Sequence, residues 1–313
     1  MAIDLNHRPR LSDMRRLAPQ EAAPAVDLEA RQQGPRITDA ESLSGRPGYA
    51  ADFLGEFSVP WPTMSDERAG DVLPVSGSAE NRLDYMHFSI TMSASRRLAF
   101  YVGVNINGAQ SVSVERGKDR WSYDGRIPLE AQIGEDLYAN NLLDRGHLVR
   151  REDPNWGNEA EVANRDTFHF TNCSPQMAGF NQKNWLDLEN YLLENTRRWK
   201  ERATVFTGPV FRDDDRRYRG VLIPSAFWKV VAFLSDDGKP SATAYMIDQS
   251  SELGQLDAAF GRFRTYQRSV RRIEQLTGIN FGPLSRYDGF SNEEAMTGTR
   301  IEAELHTLAD IRL

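Results

Sequence analysis

The sequence predicts an α+β fold, a central antiparallel β-sheet flanked by helices. Three observations carry this expectation. Short runs of β-branched and aromatic residues recur between Phe88 and Asp248, separated by turn residues. Asn107–Gly108, inside the first of these regions, is a hairpin signal. Two stretches, Asn184–Arg202 and Arg268–Gly278, carry the apolar period of amphipathic helices. Strands joined by short turns, with helices set among them, make a mixed rather than a parallel doubly wound sheet.

Taken in order, the chain begins with a stretch that has little to bury. Residues 1–48 contain no Phe, Tyr or Trp, and hold 5 prolines, 7 basic and 7 acidic residues. Such a composition predicts a flexible N-terminal segment. The first aromatics, Tyr49 and Phe53, mark the start of a folded body, so the expected division is 1–48 and 49–313. Phe88–Gly117 reads as two or three strands, and Asp166–Asn172, "DTFHFTN", as one more. Asn184–Arg202 is the clearest helix: Trp185, Leu188, Leu192 and Trp199 share a stripe, acids come early and bases late. "ATVFTGPVF", "SAFWKVVAFL" and "SATAYMID" are three further strands, and "RSVRRIEQLTG" is a helix that Gly278 ends.

The bulk composition narrows the function. A content of 40% hydrophobic residues in 313 supports a sizeable core, and no apolar run approaches a membrane span. The N-terminus lacks the apolar stretch of a secretory signal. One cysteine, Cys173, excludes an internal disulfide and argues for a reducing compartment. The net charge of −7 taken alone speaks against a polyanionic partner, but Phe260–Leu276 carries 5 arginines against 1 glutamate, so a basic surface fits on an acidic chain.

The chemistry concentrates in two stretches. The first is Leu143–Glu152, "LDRGHLVRRE", where one of only 5 histidines sits among Arg145, Arg150 and Arg151. A neutral imidazole is a good general base, and neighbouring guanidinium groups oppose its protonation while attracting an anion. A base beside cations suits hydrolysis of a phosphate ester, a reaction that also needs help at the leaving oxygen, usually from a divalent metal. No His/Cys pattern of zinc spacing is present, so a hard cation with oxygen ligands is expected. The second stretch, Thr171–Glu189, "TNCSPQMAGFNQKNWLDLE", supplies such oxygens: Asn172, Asn181 and Glu189 lie 9 and 8 residues apart. Eight residues of helix bring the direction nearly back, so Asn181 and Glu189 can face one side.

Together, "DRGH" (Asp144–His147), "TFHFTNCSPQ" (Thr167–Gln176) and "FNQKNWLDLE" (Phe180–Glu189) resemble the DNA/RNA non-specific endonuclease family, whose active site is a ββα-metal finger. The likeness runs from about Tyr49 to Phe281, with "VFTGPVF" and "FWKVV" in the expected order. The resemblance implies a Mg²⁺-dependent, sugar-non-specific endonuclease, with Mn²⁺ as a substitute metal, that leaves 5′-phosphate and 3′-hydroxyl ends on DNA and RNA. It implies His147 as general base and Asn181 as the one direct protein ligand of Mg²⁺. It further implies that Glu189 orients metal-bound water, Asn172 supports the site and Arg145 is the arginine of the motif, while Asp144 holds the loop. An upstream arginine is expected on the phosphate; Arg116 or Arg120 fills that place, and Arg116 is favoured because it follows a strand and a glutamate.

Plainer roles exist for several of these residues. Asn181 also suits a helix N-cap, His169 reads as structural, and Asp213–Asp215 as a charged turn. A competing function is a catalytically weak nucleic-acid-binding module on the same fold; it predicts loss of His147 or Asn181, and both are present. A metal-free phosphodiesterase acting through His147 leaves Asn181 and Glu189 without a purpose. The resemblance also implies a homodimer. A nuclease of this kind endangers its own host, so an inhibitor, delivery or regulatory partner is expected for residues 1–48. The expected location is cytoplasmic, or outside the cell by a route that needs no signal peptide.

Overall fold

The computed structural model describes residues 3–14, 35–177, 189, 193–198, 200–250 and 264–312. Its backbone is organised by one eight-stranded antiparallel sheet. The strands are β1 (Arg82–Tyr85), β2 (Phe88–Met92), β3 (Ala99–Asn107), then β6 (Arg202–Val210), β7 (Ala226–Leu234), β8 (Pro240–Asp248), β9 (Arg264–Arg268) and β10 (Glu302–Leu305). A separate two-stranded ladder, β4 (Leu143–His147) with β5 (Cys173–Met177), stands between them in sequence. Across the large sheet the order is β10-β9-β8-β7-β6-β3-β2-β1. Helices α1 (Ala160–Asp166), α2 (Val270–Thr277) and α3 (Gly289–Thr297) complete the α+β fold.

Every residue of β3 is buried, as are most of β6, β7 and β8, so the central strands are covered on both faces. That is why their sequences are nearly continuous apolar runs rather than alternating ones. Trp228, Tyr101, Tyr245, Phe206 and Phe227 fill the interior. One face of the sheet also accommodates polar groups: Lys229 lies opposite Thr207 on one side and Tyr245 on the other.

The structure departs from the sequence reading of secondary structure in two places. Asn107–Gly108 ends β3 and enters a short 3-10 turn instead of closing a hairpin. The cause is tertiary: a Cβ on Gly108 would lie 1.8 Å from the carbonyl oxygen of Thr196, so the glycine is there to admit a neighbouring chain. The hairpin is made earlier, between Met92 and Ala99. Asp166–Asn172 is not a strand; it runs from the last residue of α1 into a 3-10 turn over Phe170–Asn172, and the strand begins at Cys173. Of the long predicted helix, Glu189 and residues 193–198 are helical, and the remainder lies outside the described residues. The helix ended by Gly278 forms as expected, with that glycine at φ 70°.

The N-terminal stretch also differs from a segment flexible as a whole. Leu43 is buried in the core, and Arg46 pairs with Asp166 at 2.7 Å. Ile37–Thr38 runs parallel to Tyr123–Asp124, and residues 3–14 pack near α3, where Tyr287 Oη donates to the Leu5 carbonyl and Asn292 Nδ2 to that of Pro9. Packing therefore begins ahead of Tyr49: aliphatic and charged side chains do the anchoring that the aromatic count did not register. Residues 15–34 lie outside the described residues. Among the described residues no helix is long and apolar enough to cross a membrane.

Candidate active site

The DRGH motif is strand β4 itself. Its register against β5 sets Asp144 opposite Gln176, Gly146 opposite Ser174 and His147 opposite Cys173. Gly146 is required by that pairing, because a Cβ there would fall 2.1 Å from the side-chain amide carbon of Gln176. Alternation along the strand puts Arg145 and His147 on one side and Asp144 on the other.

The imidazole of His147 is walled by two aromatic rings. Trp121 lies 4.7 Å away between ring centroids and Phe168 lies 5.0 Å away, edge-on. Trp121 is held in place because its neighbour Ser122 exchanges backbone hydrogen bonds with Phe168 and Phe170. Within this box Nε2 is shut from solvent and has no hydrogen-bond partner among the described residues. Burial pushes the His147 pKa down to about 4; Asp119 pulls it back up, while Arg116, Arg151 and Arg150 push it further down. The imidazole is thus neutral at pH 7, with desolvation as the main cause and the arginines as a supplement. A neutral ring with a free nitrogen is a proton acceptor waiting for a donor.

Asn172 fixes the backbone that leaves His147. It is fully buried, and its Nδ2 donates to the carbonyls of Val149 (2.9 Å) and Thr167 (3.0 Å). Its Oδ1 accepts from the Val149 amide at 2.9 Å, and its own carbonyl accepts from Leu148 at 3.0 Å. With both amide protons used on the backbone, Asn172 supports the site from behind.

Glu189 is buried and faces Lys229 Nζ at 3.0 Å; the same ammonium donates to Thr207 Oγ1 at 3.0 Å. Asp153, six residues past His147, completes this charged layer. Burial raises its pKa to about 7, Arg150 and Lys229 lower it, and Glu189 raises it. A second tier of ion pairs lies beside it, with Glu152 bridging Arg151 at 2.6 Å and Arg197 at 3.1 Å.

Arg145 of the motif and Arg116, favoured for the phosphate, are each engaged by a carboxylate. Arg145 pairs through two nitrogens with Glu135 and lies over the ring of Tyr138 at 5.6 Å. Arg116 pairs with Asp119 at 2.8 and 3.3 Å. Arg120 is exposed. Asn181 and Lys183 lie outside the described residues. Among the described residues no group of three or more His, Cys, Asp or Glu side chains is placed to hold a metal ion. His169 is structural, its Nδ1 2.8 Å from the Asp166 carbonyl, and Asp215 of the charged turn binds Arg96 and the amides of Arg212 and Ser225.

Sequence reasoning missed Trp121, Phe168, Lys229, Asp153 and Glu135. Lys229 carried a signal, since a lysine in the middle of the apolar run "AFWKVVAFL" must find a buried partner. Trp121, Asp153 and Glu135 carried none that spacing alone reveals.

The α+β fold thus carries, beside its large sheet, a two-stranded ladder with a neutral histidine at the end of one strand and arginines around it. The chain belongs to the DNA/RNA non-specific endonuclease family, whose sequence model matches residues 65–287. It is 42% identical to the uncharacterized protein y4fB of Sinorhizobium fredii, over 94% of this chain and 47% of that protein. It is 28% identical to the mitochondrial endonuclease G of Homo sapiens over 47% of this chain and 50% of the relative, and 26% identical to the nuclease of Serratia marcescens over 66% and 76%. The chain thus spans about half the length of y4fB and of endonuclease G. In fold it is similar to EndoG as solved in complex with EndoGI, with a TM-score of 0.52 and 20% identity, covering 70% of this chain and 93% of that one.

Proposed function

We propose that the protein is an endonuclease that hydrolyses phosphodiester bonds of DNA and RNA, using His147 as general base and a divalent metal, Mg²⁺ or Mn²⁺, as its cofactor. The observation that carries this reading is the state of His147: a buried Nε2 with no partner among the described residues, on a ring held neutral at pH 7, with Arg116, Arg150 and Arg151 acting on it. In this reading Nε2 takes a proton from the attacking water, and Arg145 and Arg116 meet the charge that builds on the phosphate oxygens. Asn172 keeps the imidazole on its line of approach by clasping Val149. Trp121 and Phe168 exclude bulk water from the ring.

The donor types in and around the site fit a hard cation rather than zinc: Asn181 in the second motif supplies an amide oxygen and Glu189 a carboxylate braced by Lys229. A cation held there would neutralise charge at the leaving 3′ oxygen, so that the products carry 5′-phosphates. In this reading nucleic acid is the substrate partner, the active species is a homodimer, and a protein inhibitor or delivery partner guards the host genome.

The test is nicking of supercoiled plasmid by the full chain with Mg²⁺, with EDTA, and with His147→Ala. Cutting that needs both metal and histidine supports the reading. Binding without cutting would leave a nucleic-acid-binding module, and cutting in EDTA would remove the metal from the mechanism.

A further inference from the structure

The ion pairs among the described residues range from enclosed to exposed. Arg46–Asp166, Arg126–Asp124 and Arg96–Asp215 hold carboxylates that are almost wholly enclosed, and they staple loops to the body. The pairs at the site are of the exposed kind, as Arg82–Glu80 and Arg268–Glu302 also are. The Glu135 side chain is 54% exposed and that of Asp119 34%, yet each grips its arginine through two oxygens. Both guanidinium groups belong to the neighbourhood of His147. Arg145 shares its strand face at two residues' distance, and the charges of Arg116 and Asp119 both act on its ring.

We propose that Glu135 and Asp119 are affinity-setting residues: carboxylates that occupy the two arginine forks until backbone phosphates of a nucleic acid displace them. The proposal rests on the reading of this site as one that binds phosphodiesters. A carboxylate and a phosphodiester offer a guanidinium the same two-oxygen edge, so one replaces the other without moving the arginine. Displacement is easy on the acid side, because Glu135 and Asp119 pass straight into water, where an exposed pair contributes little.

The arginine that remains is already aimed. Arg145 rests on the Tyr138 ring, and Tyr138 is anchored through its hydroxyl to Cys173, the residue opposite His147. Arg219 further secures the short turn that carries Glu135 by donating to the carbonyls of Asp136 (2.8 Å), Leu137 (3.3 Å) and Ala139 (2.6 Å). The backbone on both sides of the pair is thus held, and only the exposed Glu135 carboxylate has water to turn into when a phosphate takes its place.

The test is binding of fluorescein-labelled duplex DNA to the full chain in EDTA, read by anisotropy, alongside plasmid cleavage in Mg²⁺. Glu135→Gln and Asp119→Asn each tighten binding by about two- to fivefold, the range in which exposed ion pairs act. In cleavage Glu135→Gln lowers KM and leaves kcat unchanged. In an Arg145→Gln background the gain from Glu135→Gln disappears. Unchanged affinity in Glu135→Gln overturns the proposal. So does an equal gain in the Arg145→Gln background, because that would be the general effect of removing one negative charge. A wild-type chain that binds duplex but never cuts would overturn the hydrolase reading and leave this one standing on the anisotropy data.

Discussion

Replacing Asn172 by alanine separates a residue that supports His147 from one that touches substrate. The side chain makes three hydrogen bonds, all to buried backbone: two donated to the carbonyls of Val149 and Thr167, and one accepted from the amide of Val149. At about 1 kcal/mol for each bond lost, and more where the Val149 amide is left buried without a partner, Asn172→Ala should cost roughly 3–4 kcal/mol. The loss would appear as a lower midpoint of urea unfolding, with the slope unchanged. Plasmid cutting should fall as well, because Val149 sets the direction of His147. Asn172→Asp is the sharper variant. One carboxylate oxygen keeps the Val149 amide, but the other opposes two carbonyls, so the variant should be less stable at pH 8 than at pH 5, where the acid can regain a proton. An Asn172→Ala protein within about 1 kcal/mol of wild type but unable to cut would refute the reasoning and move Asn172 to the substrate side.

Two further outcomes follow from the buried charges. Lys229→Met strips Glu189 of its partner in a closed layer and should cost about 3–5 kcal/mol; adding Glu189→Leu should restore most of the stability, seen in thermal unfolding, without restoring cleavage. A single variant as stable as wild type would show that Glu189 is not committed to Lys229. The second outcome concerns pH. The imidazole of His147 titrates near 4 when folded and near 6.5 when unfolded. Between those values the unfolded chain binds the extra proton, so stability falls as pH drops through this window, by about 3 kcal/mol in all. His147→Gln should flatten that part of the stability curve, and an NMR titration of folded protein that places His147 near 6.5 would show that the aromatic wall does not close.

What the sequence made legible was what repeats locally. The apolar runs of β3, β6, β7 and β8 are long enough to be read without knowing their partners, and they pair as one antiparallel sheet. The DRGH and TN motifs could be found because their spacing is short. What stayed hidden depends on contacts between distant segments. Gly108 looks like a turn residue until Thr196 is seen against it. His147 was expected to be kept neutral by arginines, whereas its burial against Trp121 and Phe168, from 26 residues upstream and 21 downstream, is the larger cause. Leu43 and Arg46 looked like parts of a loose leader because no aromatic residue precedes Tyr49, yet Leu43 is buried in the core and Arg46 pairs with the enclosed Asp166.

The position of Cys173 has its own consequence. Cys173 lies opposite His147 at the end of β4, almost wholly enclosed, with its sulfur 3.2 Å from the Tyr138 hydroxyl, and burial pushes the thiol up to about 12. A thiol so reluctant to ionise neither attacks disulfides nor yields readily to peroxide. The chain's single sulfhydryl therefore keeps no record of the redox conditions around it, and the folded domain should work alike in glutathione-rich and in oxidising surroundings. Labelling of that sulfur by a thiol reagent would instead time how often β4 and β5 come apart.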